Sequence, residues 1–187
     1  MADRKESRSL RFPVFAHGAE SLVQGYLMRR NIMTYQAPRN NEGYDLICVS
    51  PKAKVPPVRV QVKCRYQTDC DRSIIVPKKC PGAFDFVVAV FLNVGYFFRK
   101  RGDPDSEKRE PEFFTLPAEW VEQHRNKRSS WGKLSLKQQG IDRFKNDEGF
   151  EQIAKALGIA YPTRPRRATR RTMNDQRPTH DSNSGMD

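Results

Sequence analysis

Asp45, Gln61 and Lys63, with Glu20 upstream, are the residues whose types and order suit chemistry on a phosphodiester. The run Val58-Arg59-Val60-Gln61-Val62-Lys63 alternates valine with a polar residue, the period-2 pattern of a half-buried strand. The valines then face a core, and Arg59, Gln61 and Lys63 project from the opposite face. Gln61 and Lys63, two residues apart, point the same way and can serve one site. Cleaving a phosphodiester calls for a divalent metal that polarises the phosphate and acidifies a bound water, with a cation to help position that nucleophile. A hard cation such as Mg²⁺ takes oxygen ligands: carboxylates, backbone carbonyls and water. One economical arrangement puts an Asp at a strand start, and an acidic residue plus a Lys on the neighbouring strand. Asp45 begins the preceding strand, Gln61 stands where the acidic residue would, and Glu20 lies on a helix before both. On spacing alone an alternative stays open: a solvated strand face, with Asp45 a turn residue and Glu20 a carboxylate on a helix surface.

The elements that must position these residues can be read around them. Phe15, Ala19, Leu22, Val23 and Tyr26 recur at helical spacing, which predicts an amphipathic helix from about Pro13 to Arg30 with Asn31 as a left-handed cap. Residues 32–37 are expected to form a short strand, and the Pro-Arg-Asn-Asn-Glu-Gly run at 38–43 a loop. Residues 44–50 form the Asp45 strand, and the proline-rich turn at 51–57 joins it to the Val58 strand. A connection that short predicts antiparallel pairing. Residues 73–76 suggest another short strand. The stretch 84–94 has no polar face, so it is expected as a strand covered on both sides. A strand at 112–116 follows, then a helix with Pro117 near its first position, and a brief alternation at 134–136. The closing helix carries Phe150, Ile153, Ala154 and Leu157 on its apolar stripe, with Asp147 expected as N-cap and Gly158 as C′ residue.

In this order, Glu20 on a first helix, Gly43-Tyr44-Asp45-Leu46, then Val60-Gln61-Val62-Lys63, the chain resembles the PD-(D/E)XK nuclease superfamily. Within it the likeness is to resolvase-like and group I intron-associated endonucleases carrying Gln-Val-Lys. It spans roughly Pro13 to Gly158 and includes the Phe-Phe-Thr-Leu-Pro-Ala-Glu-Trp segment at 113–120. The resemblance implies an α/β, restriction-endonuclease-like fold, a mixed central β-sheet flanked by helices. It implies Asp45 as main metal ligand, with the Gln61 amide oxygen, the Val62 carbonyl and Glu20 completing the set. It implies Lys63 as the residue that positions or activates the water, Mg²⁺ or Mn²⁺ as the cofactor, and hydrolysis of DNA by a homodimer or higher oligomer. Gln61 departs from the commoner Asp or Glu and carries no charge. That departure keeps open a second reading, a nucleic-acid-binding module of the same fold that does not cut.

Composition fits a polyanion partner. The chain has 187 residues, 34 Lys and Arg against 22 Asp and Glu, and a formal charge of +12. Six Arg and three Asp fall in residues 161–187, so most of the excess sits in the part expected to fold. Such a charge favours nucleic acid, and Arg65, Lys78, Lys79, Arg166 and Arg167 are the candidate contacts. Residues 1–11 are expected as a flexible basic arm, 12–160 as the nuclease-like domain, and 161–187 as a disordered Arg-rich tail. Cys48, Cys64, Cys70 and Cys80 make no Cys-x-x-Cys pair, which argues against zinc. No apolar run reaches the roughly 18 residues of a membrane span, so a cytoplasmic, non-membrane protein with reduced thiols is expected.

Overall fold

The computed structural model describes residues 3–38, 41, 43–52, 54–76, 82–95, 107–126, 128 and 131–162, with side chains from Val14 onward. Five strands, β1 (Met33–Gln36), β2 (Leu46–Val49), β3 (Val58–Arg65), β5 (Phe86–Phe91) and β6 (Glu112–Pro117), form one sheet in the order β1-β2-β3-β5-β6. The pair β3–β5 is parallel and the others antiparallel. Strands β4 (Ser73–Ile75) and β7 (Lys133–Ser135) form a separate antiparallel ribbon. The helices are α1 (Asp3–Met28), α2 (Ala118–His124) and α3 (Asn146–Ala156), with a 3₁₀ turn at Ile141–Phe144. This is the mixed α/β architecture expected from the sequence.

Alternation along the strands divides the apolar residues between two cores. Val58, Val60 and Val62 join Phe86, Val88, Val90 and Phe113 beneath Ala19, Val23 and Leu27 of α1 and Phe150, Ile153 and Leu157 of α3. On the other face Val87, Ala89, Phe91, Phe114 and Leu116 meet Ile74, Leu134, Trp120, Val121 and Phe144. All six residues of β5 are buried, because both faces of that strand are covered. Each fully buried valine or phenylalanine contributes about 1.5–3 kcal/mol over an exposed one, so β5 is the strand on which the sheet is assembled.

Two helix ends follow their local sequence. At Asn31 (φ 62°) the Asn31 and Ile32 N–H groups return to the carbonyls of Met28 and Leu27. At Gly158 (φ 61°) the Gly158 and Ile159 N–H groups return to Lys155 and Ala154. Both are Schellman caps.

Three helix starts differ from expectation. Helix α1 begins at Asp3 rather than near Pro13, so most of the segment expected as an arm is helical backbone. Residues 3–12 contain no Gly or Pro, and six of the ten are Arg, Lys, Glu or Leu, residue types that favour helix by propensity, which apolar spacing does not register. Pro117 ends β6 opposite Phe86 and caps α2 from an extended conformation (ψ 144°), while Ala118 N–H is donated to the Asp85 carbonyl. Asp147 is not the N-cap of α3; Lys145 is. The Asp147 carboxylate instead accepts from the Arg30 guanidinium (Nε, 2.6 Å) and Tyr161 Oη (2.9 Å), tying the end of α1 to the chain after α3.

Arg59, on the polar face of β3, is held by Asp85, which accepts its N–H at 2.7 Å and its guanidinium at 3.0 and 3.2 Å. Burial pushes the Asp85 carboxyl up, but the Arg59 bonds outweigh it and hold the group below the ordinary aspartate value of about 3.9. A lowered folded value means stability present above about pH 3.9 and lost as the pH falls through the folded value. Asp85→Asn is therefore expected to flatten the loss of stability below about pH 4, read as urea midpoints from neutrality into acid. An unchanged acid limb would show that the pair contributes nothing there.

Candidate active site

Asp45 sits one residue before β2, where the sheet loses a strand. The β2–β3 ladder pairs Leu46 with Val60, Ile47 with Arg59 and Cys48 with Val58, and goes no further. Beyond it Asp45 takes over from the backbone. Its N–H is donated to the Val60 carbonyl at 2.9 Å, and its Oδ2 accepts the Val62 N–H at 2.6 Å. Strand geometry turns the backbone groups of Val60 and Val62 toward β2, so the Val62 carbonyl lies on this same edge past the last ladder pair. Asp45 Oδ1 accepts no hydrogen bond from any described residue. One carboxylate oxygen is thus committed to ending the sheet and the other faces outward.

Glu20 approaches from α1. It lines, with His17, Gln36, Ala37, Asn41, Tyr44 and Asp45, a polar cleft of about 480 Å³. Gln24, one turn further along α1, anchors the helix to β1 by donating to the Thr34 carbonyl at 3.0 Å. The Glu20 carboxyl is pushed above its ordinary value, first by burial and then by the Asp45 charge. His17, 3.5 Å away at Nδ1, and the Lys63 ammonium pull it partly back. Two carboxylates crowded at one edge with a lysine within electrostatic reach are a site short of positive charge.

Gln61 and Lys63 stand differently. Their register partners on β5 are Val87 and Ala89, which belong to the core opposite α1. Glu20 and Lys63 therefore start from opposite faces of the sheet, and Lys63 does not line the Glu20–Asp45 cleft, although its charge acts on Glu20. Neither Gln61 nor Lys63 makes a side-chain hydrogen bond or ion pair with a described residue. Gln61 does not line the Glu20–Asp45 cleft. Among the described residues no three His, Cys, Asp or Glu side chains converge as a metal-ligand group.

The weaker nucleic-acid candidates divide. Arg65 is paired with Asp71 at 2.8 Å, and Asp71 also binds Lys133. Lys78, Lys79, Arg166 and Arg167 lie outside the described residues, as does the tail from residue 163. Tyr66, next after β3, stacks on Phe15 of α1 with ring centroids 5.1 Å apart, and Gln67 is buried. Cys48 is a buried free thiol hydrogen-bonded to Thr34, and burial pushes it up to about 11. Gln36, Asn41 and Tyr44 also line the cleft, with no signal for it in their local sequence. The turn at Asn41, whose Nδ2 donates to the Tyr44 carbonyl at 2.8 Å, was visible only as loop composition.

No helix among the described residues is long and apolar enough to cross a membrane. No protein-family model and no curated protein matches the chain. Among solved structures it is similar to that of a bacterial homing endonuclease, I-Ssp6803I, at 14% identity and a TM-score of 0.48, covering 76% of this chain and 91% of that one.

Proposed function

We propose that the protein is a metal-dependent endonuclease that hydrolyses phosphodiester bonds in DNA, with its site at the start of β2. The observation that carries this reading is the cleft that brings Glu20 to Asp45, whose Oδ1 has no partner among the described residues, with the Lys63 charge acting on Glu20. The donors there suit a hard divalent cation. They are Asp45 Oδ1, the Glu20 carboxylate crowded by Asp45 and the Val62 carbonyl past the ladder, with the Gln61 amide oxygen on the other face of β3 and outside the cleft. Mg²⁺ or Mn²⁺ bound by these groups supplies Lewis acidity at the phosphate and a more acidic water. Asp45, fixed through Oδ2, presents Oδ1 in a set position. Lys63 brings a positive charge to the side from which the nucleophile is oriented and to the charge that develops on the phosphate. Burial and the Asp45 charge raise Glu20 above its ordinary value, and a cation bound beside it would lower that value again.

Asp45→Asn is the sharp test. The amide keeps an oxygen for the Val62 N–H, so the fold is expected to hold while cleavage falls by at least ~100-fold. Asp45→Ala removes both and is expected to lower the thermal midpoint as well. Cleavage of supercoiled and branched DNA with Mg²⁺ or Mn²⁺ reads the activity; equal cutting by wild type and Asp45→Asn sinks the proposal.

A second reading, a module that binds nucleic acid without cutting, is favoured by the neutral Gln61 and by the missing three-residue ligand group among the described residues. It predicts tight, salt-sensitive DNA binding, no cleavage with any divalent metal, and no Asp45-dependent signal in a Mn²⁺ titration.

A further inference from the structure

A second polar cleft, of about 480 Å³, opens at the carboxyl ends of β3 and β5, lined by Thr68, Arg72, Asn93, Glu112 and Lys145 among others. Its centre is an unequal charge cluster. Arg72 binds one oxygen of Glu112, and Lys145 Nζ binds the other at 2.8 Å. Two cations on one carboxylate leave one positive charge in excess within this trio; Glu110 and Arg109, the latter paired with Glu107, also line the cleft. Burial pushes Glu112 up, but the Lys145 and Arg72 bonds outweigh it and hold the group below the usual carboxylate range, so the carboxylate stays ionised at neutral pH and the excess is one charge, not two.

The cations are held in place yet not used up. The Arg72 guanidinium lies over the Phe91 ring, 4.5 Å from its centroid, and 5.8 Å from that of Phe114. Such stacking fixes the guanidinium plane. Of its five N–H donors, only those at one terminal nitrogen have a partner among the described residues. The side chains of Arg72 and Lys145 are 35% and 34% exposed, enough for the remaining donors to meet a ligand in the cleft.

Sheet register links this cleft to the candidate active site. Lys63, Ala89 and Phe114 form one row across β3, β5 and β6; Arg65, Phe91 and Glu112 form the next. Adjacent same-face rows are about 6.7 Å apart and adjacent strands about 4.8 Å, so the Lys63 and Phe91 Cα atoms are separated by roughly 8 Å. Arg72, stacked on Phe91, thus lies over the row next to that of Lys63.

We propose that Arg72 and Lys145 bind the phosphodiester backbone of the nucleic-acid strand beside the phosphate presented to Asp45 and Lys63. The identity of the ligand rests on the endonuclease reading above; the cation pair itself rests only on geometry. Glu112 then has a second role, orienting both cations while keeping their hold weak enough for release.

The test is DNA affinity by fluorescence anisotropy, in EDTA so that no cutting occurs, across a salt series. Lys145→Ala is expected to weaken binding about 5–10-fold at moderate salt and to reduce the log–log salt slope by about 0.9, one phosphate. Glu112→Gln is expected to tighten binding several-fold. A clamp with a purely structural role predicts the opposite: Glu112→Gln lowers the thermal midpoint and does not raise affinity. Lys155→Ala, an exposed lysine paired with Glu151 on α3, is the control and leaves the slope unchanged. An unaltered slope in Lys145→Ala, no gain in Glu112→Gln, or no DNA binding by wild type overturns the proposal. If wild type cuts DNA and the slope is unaltered, the cleft falls and the endonuclease stands. If nothing cuts but both variants shift as expected, the endonuclease reading falls and the cleft stands.

Discussion

Lys63→Ala is expected to cut DNA at least ~100-fold more slowly than wild type while melting at the same temperature within a degree or so, the cost being that of losing one preorganised charge at a reacting phosphate. The two halves of that expectation come from one observation. Lys63 is half-exposed and has no ion pair with a described residue, so the fold loses no partner when it goes. Its charge nevertheless acts on Glu20 and on the neighbouring Cys64 thiol, partly offsetting the burial that raises both. Lys63→Arg is the informative companion: a planar fork does not reproduce a compact ammonium, and activity is expected to stay low. Single-turnover cleavage together with thermal melts checks all three proteins. In the binding-only alternative, Lys63→Ala changes nothing but the salt slope.

Gly149→Ala is expected to destabilise the protein by about 1–3 kcal/mol, the usual cost of forcing a methyl into a packed position. A Cβ there would sit 2.2 Å from the Phe144 carbonyl oxygen, 2.9 Å from its carbon and 3.0 Å from Thr115 Oγ1. The first two contacts are backbone, so no rotamer change relieves them; the 3₁₀ turn or the start of α3 must move. That joint also carries Lys145 and Asn146, whose Oδ1 accepts the Phe113 N–H of β6 at 3.0 Å, so the strain spreads into the sheet. Gly25, on the exposed side of α1, has nothing within 4 Å of an added Cβ. Gly25→Ala is expected to be neutral or to stabilise by about 0.5–1 kcal/mol through helix propensity. Urea midpoints for the two variants should move in opposite directions; a Gly149→Ala protein as stable as wild type would mean that α3 docks more loosely than its packing against β6 implies.

The features legible in the sequence are those decided within a few residues. The valine alternation of β3, the unbroken apolar run of β5, the left-handed Asn31 and Gly158 and the antiparallel β2–β3 hairpin each depend on a local period, a φ angle or a short connection. Tertiary structure decided the rest. Asp147 has the composition of an N-cap, but Arg30 and Tyr161, brought from other elements, bind its carboxylate instead. Arg59 shares a face with Lys63 in the sequence pattern, yet Asp85 neutralises one and no described residue neutralises the other. The candidate site is the clearest case. The family resemblance names Glu20, Asp45, Gln61 and Lys63, but alternation sends Lys63 to the face away from Glu20. Glu20 and Asp45 share a cleft, and the β2–β3 ladder ends at Leu46, where the Asp45 carboxylate takes over as acceptor for the Val62 N–H. Where a ladder stops depends on the pairing of strands far apart in the chain, and no local period carries that information.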